Sequence, residues 1–271
     1  MSANMYFTKE NLDICLRALA KEFRKRNGKT MPAEIILIGG ASILVNYGFR
    51  DMTNDIDALI QASSAMKEAI NYVGDELGLP YGWINSDFIK TGSYTPKLVN
   101  YARYYKTFSN ILTVRSISGE YLVAMKLKSM RQYKNDISDI VGIFREQQEV
   151  GDPLSFEKVE TAVMNLYGSW DSIPDEAQRL IKRIQDSEDL DSLYQECREE
   201  EKINKEVLTA FDKDYPGVLK EGNLKNIMES LNTKKDPQRK GQSYKKEKSK
   251  HLVPDSGTKG DSFEKIVYKQ D

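Results

Sequence analysis

Two short stretches carry residue types that can do chemistry on a phosphorylated ligand: Ile38-Gly39-Gly40-Ala41-Ser42 and Thr53-Asn54-Asp55-Ile56-Asp57. In an extended strand side chains alternate between faces, so Asp55 and Asp57 share one. Two carboxylates converging on one face need a cation to relieve their repulsion, and hard oxygen ligands favour Mg2+ or Mn2+. Gly39 and Gly40 let main chain approach a polyphosphate. The free N–H groups of the helix that follows add a positive dipole end, and the Ser42 hydroxyl is a further donor. A held triphosphate next to a metal-binding pair is the combination that transfer of a nucleotide needs. The competing reading is an ordinary turn and strand. His251, the single histidine, lies in a polar tail. Histidine-based acid–base catalysis, a serine triad and a zinc site therefore lack their residues. Chemistry in this chain rests on carboxylates, lysines and bound metal.

The elements that must position these residues are legible from periodicity. Residues 8–27 read as a helix capped by Thr8, with Leu12, Cys15, Leu16, Leu19 and Phe23 as one apolar stripe and Gly28 after its end. Glu34 to Ile38 is a short branched run expected to be a buried strand, and Ala41 to Tyr47 a short helix. Asp55 to Ile60 reads as the next strand, and Ser63 and Ser64 open a helix ending near Gly78. Strands over roughly 98–107 and 110–117 are joined by Ser109-Asn110 as a tight turn. A helix from Ser118 carries Tyr121, Leu122, Met125 and Met130, and another from Asn135 or Asp136 runs to about Gln148. Beyond Gly151 only helical patterns occur, near 155–167, 174–186 and 189–212.

With 271 residues, 39% hydrophobic and 30% charged, the chain can bury a full core and has the composition of a soluble, helix-rich protein. Lys plus Arg (40) balance Asp plus Glu (41), so net charge selects no nucleic-acid partner. No run approaches the length of a membrane span, and no basic segment followed by an apolar run opens the chain. Cys15 and Cys197 lack metal-ligand spacing and fit thiols in a reducing compartment, which predicts a cytoplasmic protein. From Thr233 apolar residues nearly vanish while lysines accumulate, as in a tail that cannot fold alone. Arg103, Lys106 and Arg115 interleave with Tyr101, Tyr104, Tyr105 and Phe108. That mixture suits either an RNA-binding surface or the packed face of a sheet.

Gly-Gly, a short helix and Asp-x-Asp together resemble the signature of the polymerase-beta-like nucleotidyltransferase superfamily. More narrowly, Gly39-Gly40-Ala41-Ser42 followed by Arg50 and Thr53-Asn54-Asp55-Ile56-Asp57 resembles the AbiE-type toxin-like nucleotidyltransferases and their uncharacterised bacterial relatives. In that group a second motif follows, matched here by Tyr121-Leu122-Val123-Ala124-Met125-Lys126-Leu127 and then Asp136-Ile137-Ser138-Asp139-Ile140. The resemblance runs from about Glu34 to Phe144. Lys126, on a helix that otherwise buries Leu122 and Met125, reads either as the cation on the triphosphate, supported by Lys128 and Arg131, or as a solvated helix lysine. Asp136 reads as a helix cap and Asp139 as a first-turn acid unless they are functional, and the resemblance favours Asp139 or Asp136 as the third acidic member beside the metal ligands Asp55 and Asp57. This chain departs from the group at Asn135, where an arginine is frequent, and its 98–117 segment offers no Asp or Glu. Asp87 is a substitute third carboxylate or a turn residue.

The resulting expectation is an α/β (α+β) nucleotidyltransferase fold with a small mixed sheet over residues 1–150. A helical C-terminal region over 151–232 and a disordered lysine-rich tail over 233–271 follow. The expected activity moves NMP from an NTP, with Mg2+ or Mn2+, to RNA (tRNA included), protein or a small molecule. The resemblance adds the toxin of a toxin–antitoxin or phage-defence pair, with an antitoxin protein as partner. The alternative is a non-catalytic nucleotide- or RNA-binding protein of the same fold. Lys126 is expected to be an exposed lysine of the cleft formed by Gly39, Ser42, Asp55 and Asp57.

Overall fold

In the computed structural model, residues 6–220 and 222–235 are described. Helix α1 (Lys9–Asn27) begins with a capping box. Asn11 N–H donates to the Thr8 hydroxyl, and the Thr8 N–H donates to Asn11 Oδ1. The helix ends at Gly28, whose φ of 78° is open to glycine at little cost. Then follow β1 (Ala33–Leu37), α2 (Gly39–Asn46), β2 (Ile56–Gln61), α3 (Ala65–Leu77) and the short β3 (Ile84–Asn85). Next come β4 (Ala102–Phe108), β5 (Leu112–Ile117), α4 (Gly119–Ser129) and α5 (Asp136–Glu149). Helices α6 (Phe156–Tyr167), α7 (Asp175–Gln185), α8 (Leu190–Asp214) and α9 (Leu224–Lys235) complete the described chain. It divides into a compact unit ending at Glu206, which holds the whole sheet, and another beginning at Val207.

The fold is mixed α/β. Five strands lie in the order β3-β2-β1-β5-β4, with β1–β5 and β2–β3 parallel and β1–β2 and β4–β5 antiparallel. β1 is central, and alternation along it explains its unbroken apolar run. Ile35 and Leu37 enter a core with α1 and α3, whereas Ile36 and Ile38 enter a second core with α4 to α7. The β4–β5 hairpin turns at Ser109 and Asn110, with φ of 51° and 52°, a left-handed pair that matches strand twist. Three boundaries differ from the sequence reading: Asp55 lies in a bend before β2, α2 already starts at Gly39, and Pro96–Tyr101 is a 3-10 helix, so that β4 starts at Ala102. A proline at the start of that turn and a Thr95 cap hold it. The lysine-rich tail lies outside the described residues beyond Lys235.

Candidate active site

Parity along β2 decides where the carboxylates point. Leu59 belongs to the core under α4, while Ile56 and Ala58 belong to the core under α1 and α3. Asp57, two residues before Leu59, therefore faces the α4 side, at the sheet end where β1 and β5 finish. Its backbone carbonyl accepts from Ile38 N–H at 2.8 Å, and Asn85 is its partner on β3. This sets the Gly39 turn directly beside it. A Cβ on Gly39 would lie 3.6 Å from Asp57 Oδ2, and Gly39 itself has φ of 53°. Asp55 is exposed and Asp57 partly buried. Burial, and then the charge of Asp55, raise the Asp57 pKa to about 6, against a lowering from Lys134 and Arg131 and a further rise from Asp87.

Those two cations come from the loop between α4 and α5. Met130, at φ 41°, ends α4 in a left-handed turn that swings Arg131 onto Asp136. Arg131 Nε and Nη2 donate to the two oxygens of that carboxylate at 2.8 and 3.1 Å. Asp136 also accepts from Ser129 Oγ, the Arg131 N–H and Lys126 Nζ. Burial opposes its charge, but Lys126 and Arg131 outweigh burial and hold its pKa below the usual carboxylate range. Lys126 Nζ lies 2.9 Å from Asp136 and 2.8 Å from Asp139, and Asp139 receives Arg50 as well. Burial works against the lysine charge too, yet the two carboxylates keep its pKa above the ordinary value.

Lys126, expected at an exposed cleft, is thus 7% exposed. Its charge is spent inside a network of Arg50, Lys126 and Arg131 with Asp136 and Asp139. Asp136 and Asp139 are equally enclosed. Three cations against two carboxylates leave one positive charge over, and Arg131 is the member that feels the field of Asp57. Ser42 also departs from its expected place. Its hydroxyl accepts from Ile117 N–H at 2.9 Å and donates to Ile117 O at 3.2 Å, so it ties α2 to the end of β5 with no donor left for a phosphate. Lys128 donates to Ser172 O over the Tyr167 ring. The basic, aromatic stretch is internally paired: Arg103 with Glu120, Lys106 with Asp13, Arg115 with Glu34, and Tyr101 stacked on Tyr121.

Arg50 joins the two motifs. Glu146 of α5 accepts from the Gly48 and Phe49 N–H groups, and the Phe49 ring fills the space left by Gly142. That clamp directs Arg50 between the glycine turn and Asp139. A methyl group at Gly40 would meet Thr53 Oγ1 at 2.6 Å and Arg50 Nη2 at 2.9 Å. Because Thr53 is buried and Arg50 is pinned, neither gives way easily. Gly40→Ala is expected to cost about 1–3 kcal/mol in urea unfolding; an unchanged midpoint would show that Arg50 is free to move.

Sequence reasoning missed Lys134 and Glu201, which had no spacing signal. Glu201 of α8 accepts from Ile137 N–H at 2.7 Å and Ser138 N–H at 3.3 Å. Burial pushes its pKa up to about 8, opposed by its bonds at Ser138 and Ile137 and helped by Asp139. A carboxyl with a folded pKa above its ordinary 4.5 gives stability that is complete below about pH 4.5 and lost as pH rises through about 8. The melting temperature of the native protein minus that of Glu201→Gln is therefore expected to fall between pH 5 and pH 8.5. A difference that stays flat or rises would refute the raised pKa.

No group of three or more His, Cys, Asp or Glu side chains is gathered into a metal cage among the described residues. Two neighbouring carboxylates, Asp57 raised in pKa by burial and then by the charge of Asp55, fit Mg2+, which takes its remaining ligands from water and substrate phosphates. A mixed sheet bearing a glycine turn on one strand end and an aspartate pair on the next defines the nucleotidyltransferase class. The chain belongs to the family described as "Nucleotidyltransferase of unknown function (DUF6036)", whose model matches residues 15–185, well over half of the sequence. No curated protein and no solved structure matches it. Among the described residues, no helix is long and apolar enough to cross a membrane.

Proposed function

We propose that this protein is a Mg2+-dependent nucleotidyltransferase that moves NMP from an NTP to an acceptor hydroxyl. The observation that carries this reading is that the partly buried Asp57 lies against the side-chain-free Gly39 turn and within the field of the cations Lys134 and Arg131. Asp55 and Asp57 would hold the metal, which when bound neutralises phosphate charge and polarises the reacting phosphoryl group. The Gly39–Gly40 turn and the first N–H groups of α2 receive triphosphate oxygens. Arg131 and Lys134 offset the charge that grows on departing pyrophosphate. In this reading Lys126, Asp136 and Asp139 are positioning residues that fix Arg131 and Arg50. The AbiE-type motif order supports a toxin role, with RNA such as tRNA as one acceptor and an antitoxin as partner.

The direct test is incubation with α-labelled NTPs, Mg2+ and cell extract, followed by separation of RNA, protein and small molecules. Label is expected in one of these fractions. Lys134, being exposed, tests the clamp without disturbing the core. Lys134→Ala is expected to weaken Mg-NTP binding about 5–10-fold, roughly 1 kcal/mol, with stability changed by less than about 0.5 kcal/mol. Unchanged affinity would remove Lys134 from the site. A second reading, a nucleotide-binding protein without catalysis, is favoured by the enclosure of Asp136 and Asp139. NTP bound with metal but transferred to nothing would establish it.

A further inference from the structure

We infer that Glu201 is a positioning residue of the nucleotide site, and that α8 sets the loop that carries Arg131 and Lys134, the cations whose field acts on Asp57. The inference rests on the nucleotidyltransferase reading for its functional meaning. Its geometry stands by itself.

A helix start leaves N–H groups without intrahelical partners. At α5 the N-cap residue Asn135 makes no side-chain cap bond. Glu201 supplies the missing acceptor from another helix, 64 positions away for Ile137 and 4% exposed. Three residues further along α8, Asn204 Nδ2 donates to Gln132 O at 3.0 Å, in the middle of the same loop. The loop between α4 and α5 is therefore held at three places: by Asp136 at Ser129 and Arg131, by Asn204 at Gln132, and by Glu201 where α5 begins.

Asp136 is the first residue of α5, so a shift of that helix start moves the carboxylate that carries the Arg131 guanidinium. Between its ends the loop has no strand or helix of its own, and it turns at a non-glycine residue with positive φ. Its placement is then set by these anchors. Both α8 residues lie outside the 15–185 segment matched by the family model. The chain thus completes its phosphate clamp with a helix that the matched segment does not contain.

The test uses the full chain and equilibrium dialysis of labelled ATP, GTP, CTP and UTP, each with Mg2+, at a temperature where unfolding curves show every variant folded. Glu201→Ala and Asn204→Ala are expected to weaken binding of the preferred NTP at least about 5-fold. Glu201→Gln should recover most of the affinity, because its amide oxygen still accepts from Ile137. Hydrogen exchange of amides 131–138 should rise in Glu201→Ala. Faster exchange with unchanged affinity would make Glu201 a helix cap only and overturn the inference. Unchanged exchange would show that α8 does not hold the loop. If the native protein binds none of the four nucleotides, the nucleotidyltransferase reading itself fails, whereas binding lost only in the variants supports both.

Discussion

Asp57→Ala is expected to reduce label transfer from NTP by at least about 100-fold while the protein remains folded. Losing a partner that merely orients a metal ligand already costs about 10–100-fold, and Asp57 is assigned as a ligand itself. Mg2+-dependent nucleotide binding should fall with it. Stability should move the other way. Burial and the neighbouring Asp55 raise the Asp57 pKa to about 6, so stability from this group is lost as pH rises through that value. At pH 7.5 in EDTA, Asp57→Asn should melt above the native protein, since it removes a carboxylate held at a cost without its cation. Thermal scans with and without Mg2+ check this, and the order of the two proteins should narrow or reverse when metal and NTP are added. Full transfer by Asp57→Ala would end the assignment.

Lys126→Ala is expected to act on the fold first. Asp136 and Asp139 are 1% and 3% exposed, and removing the cation between them leaves two buried carboxylates with Arg131 and Arg50 as their remaining counter-charges. Breaking a buried pair of this kind costs about 3–5 kcal/mol. At about 2–4 °C per kcal/mol for a chain of this size, the melting temperature should fall by roughly 6–20 °C. Transfer is lost as a consequence, because Asp136, which carries Arg131, loses the lysine that helps to fix it. A variant that melts like the native protein yet transfers nothing would restore Lys126 to direct contact with the nucleotide.

What the sequence by itself determined was local. Apolar periodicity placed α1, α3 and the helices after Gly151, because a helix buries one stripe whatever it packs against. Strand alternation holds along β2 from Ile56 onward, while Asp55 lies in the bend before that strand, and the left-handed Ser109-Asn110 pair marked the β4–β5 turn, as backbone sterics require. The start of β4 was placed too early because apolar and aromatic content at 98–101 suits a 3-10 turn as well as a strand. Tertiary structure alone decided which groups stand free and which are consumed. Ser42 looks like a phosphate donor until β5 brings the Ile117 backbone against it. Lys126 looks solvated until α5 folds Asp136 and Asp139 over it. Arg50 reaches Asp139, and Glu201 the start of α5, across separations that no periodicity records, since a charge can find its partner in any element of suitable reach. Local pattern follows from the backbone, which sequence neighbours share; the balance of charge around Asp57 follows from distance in space, which only the packed chain defines.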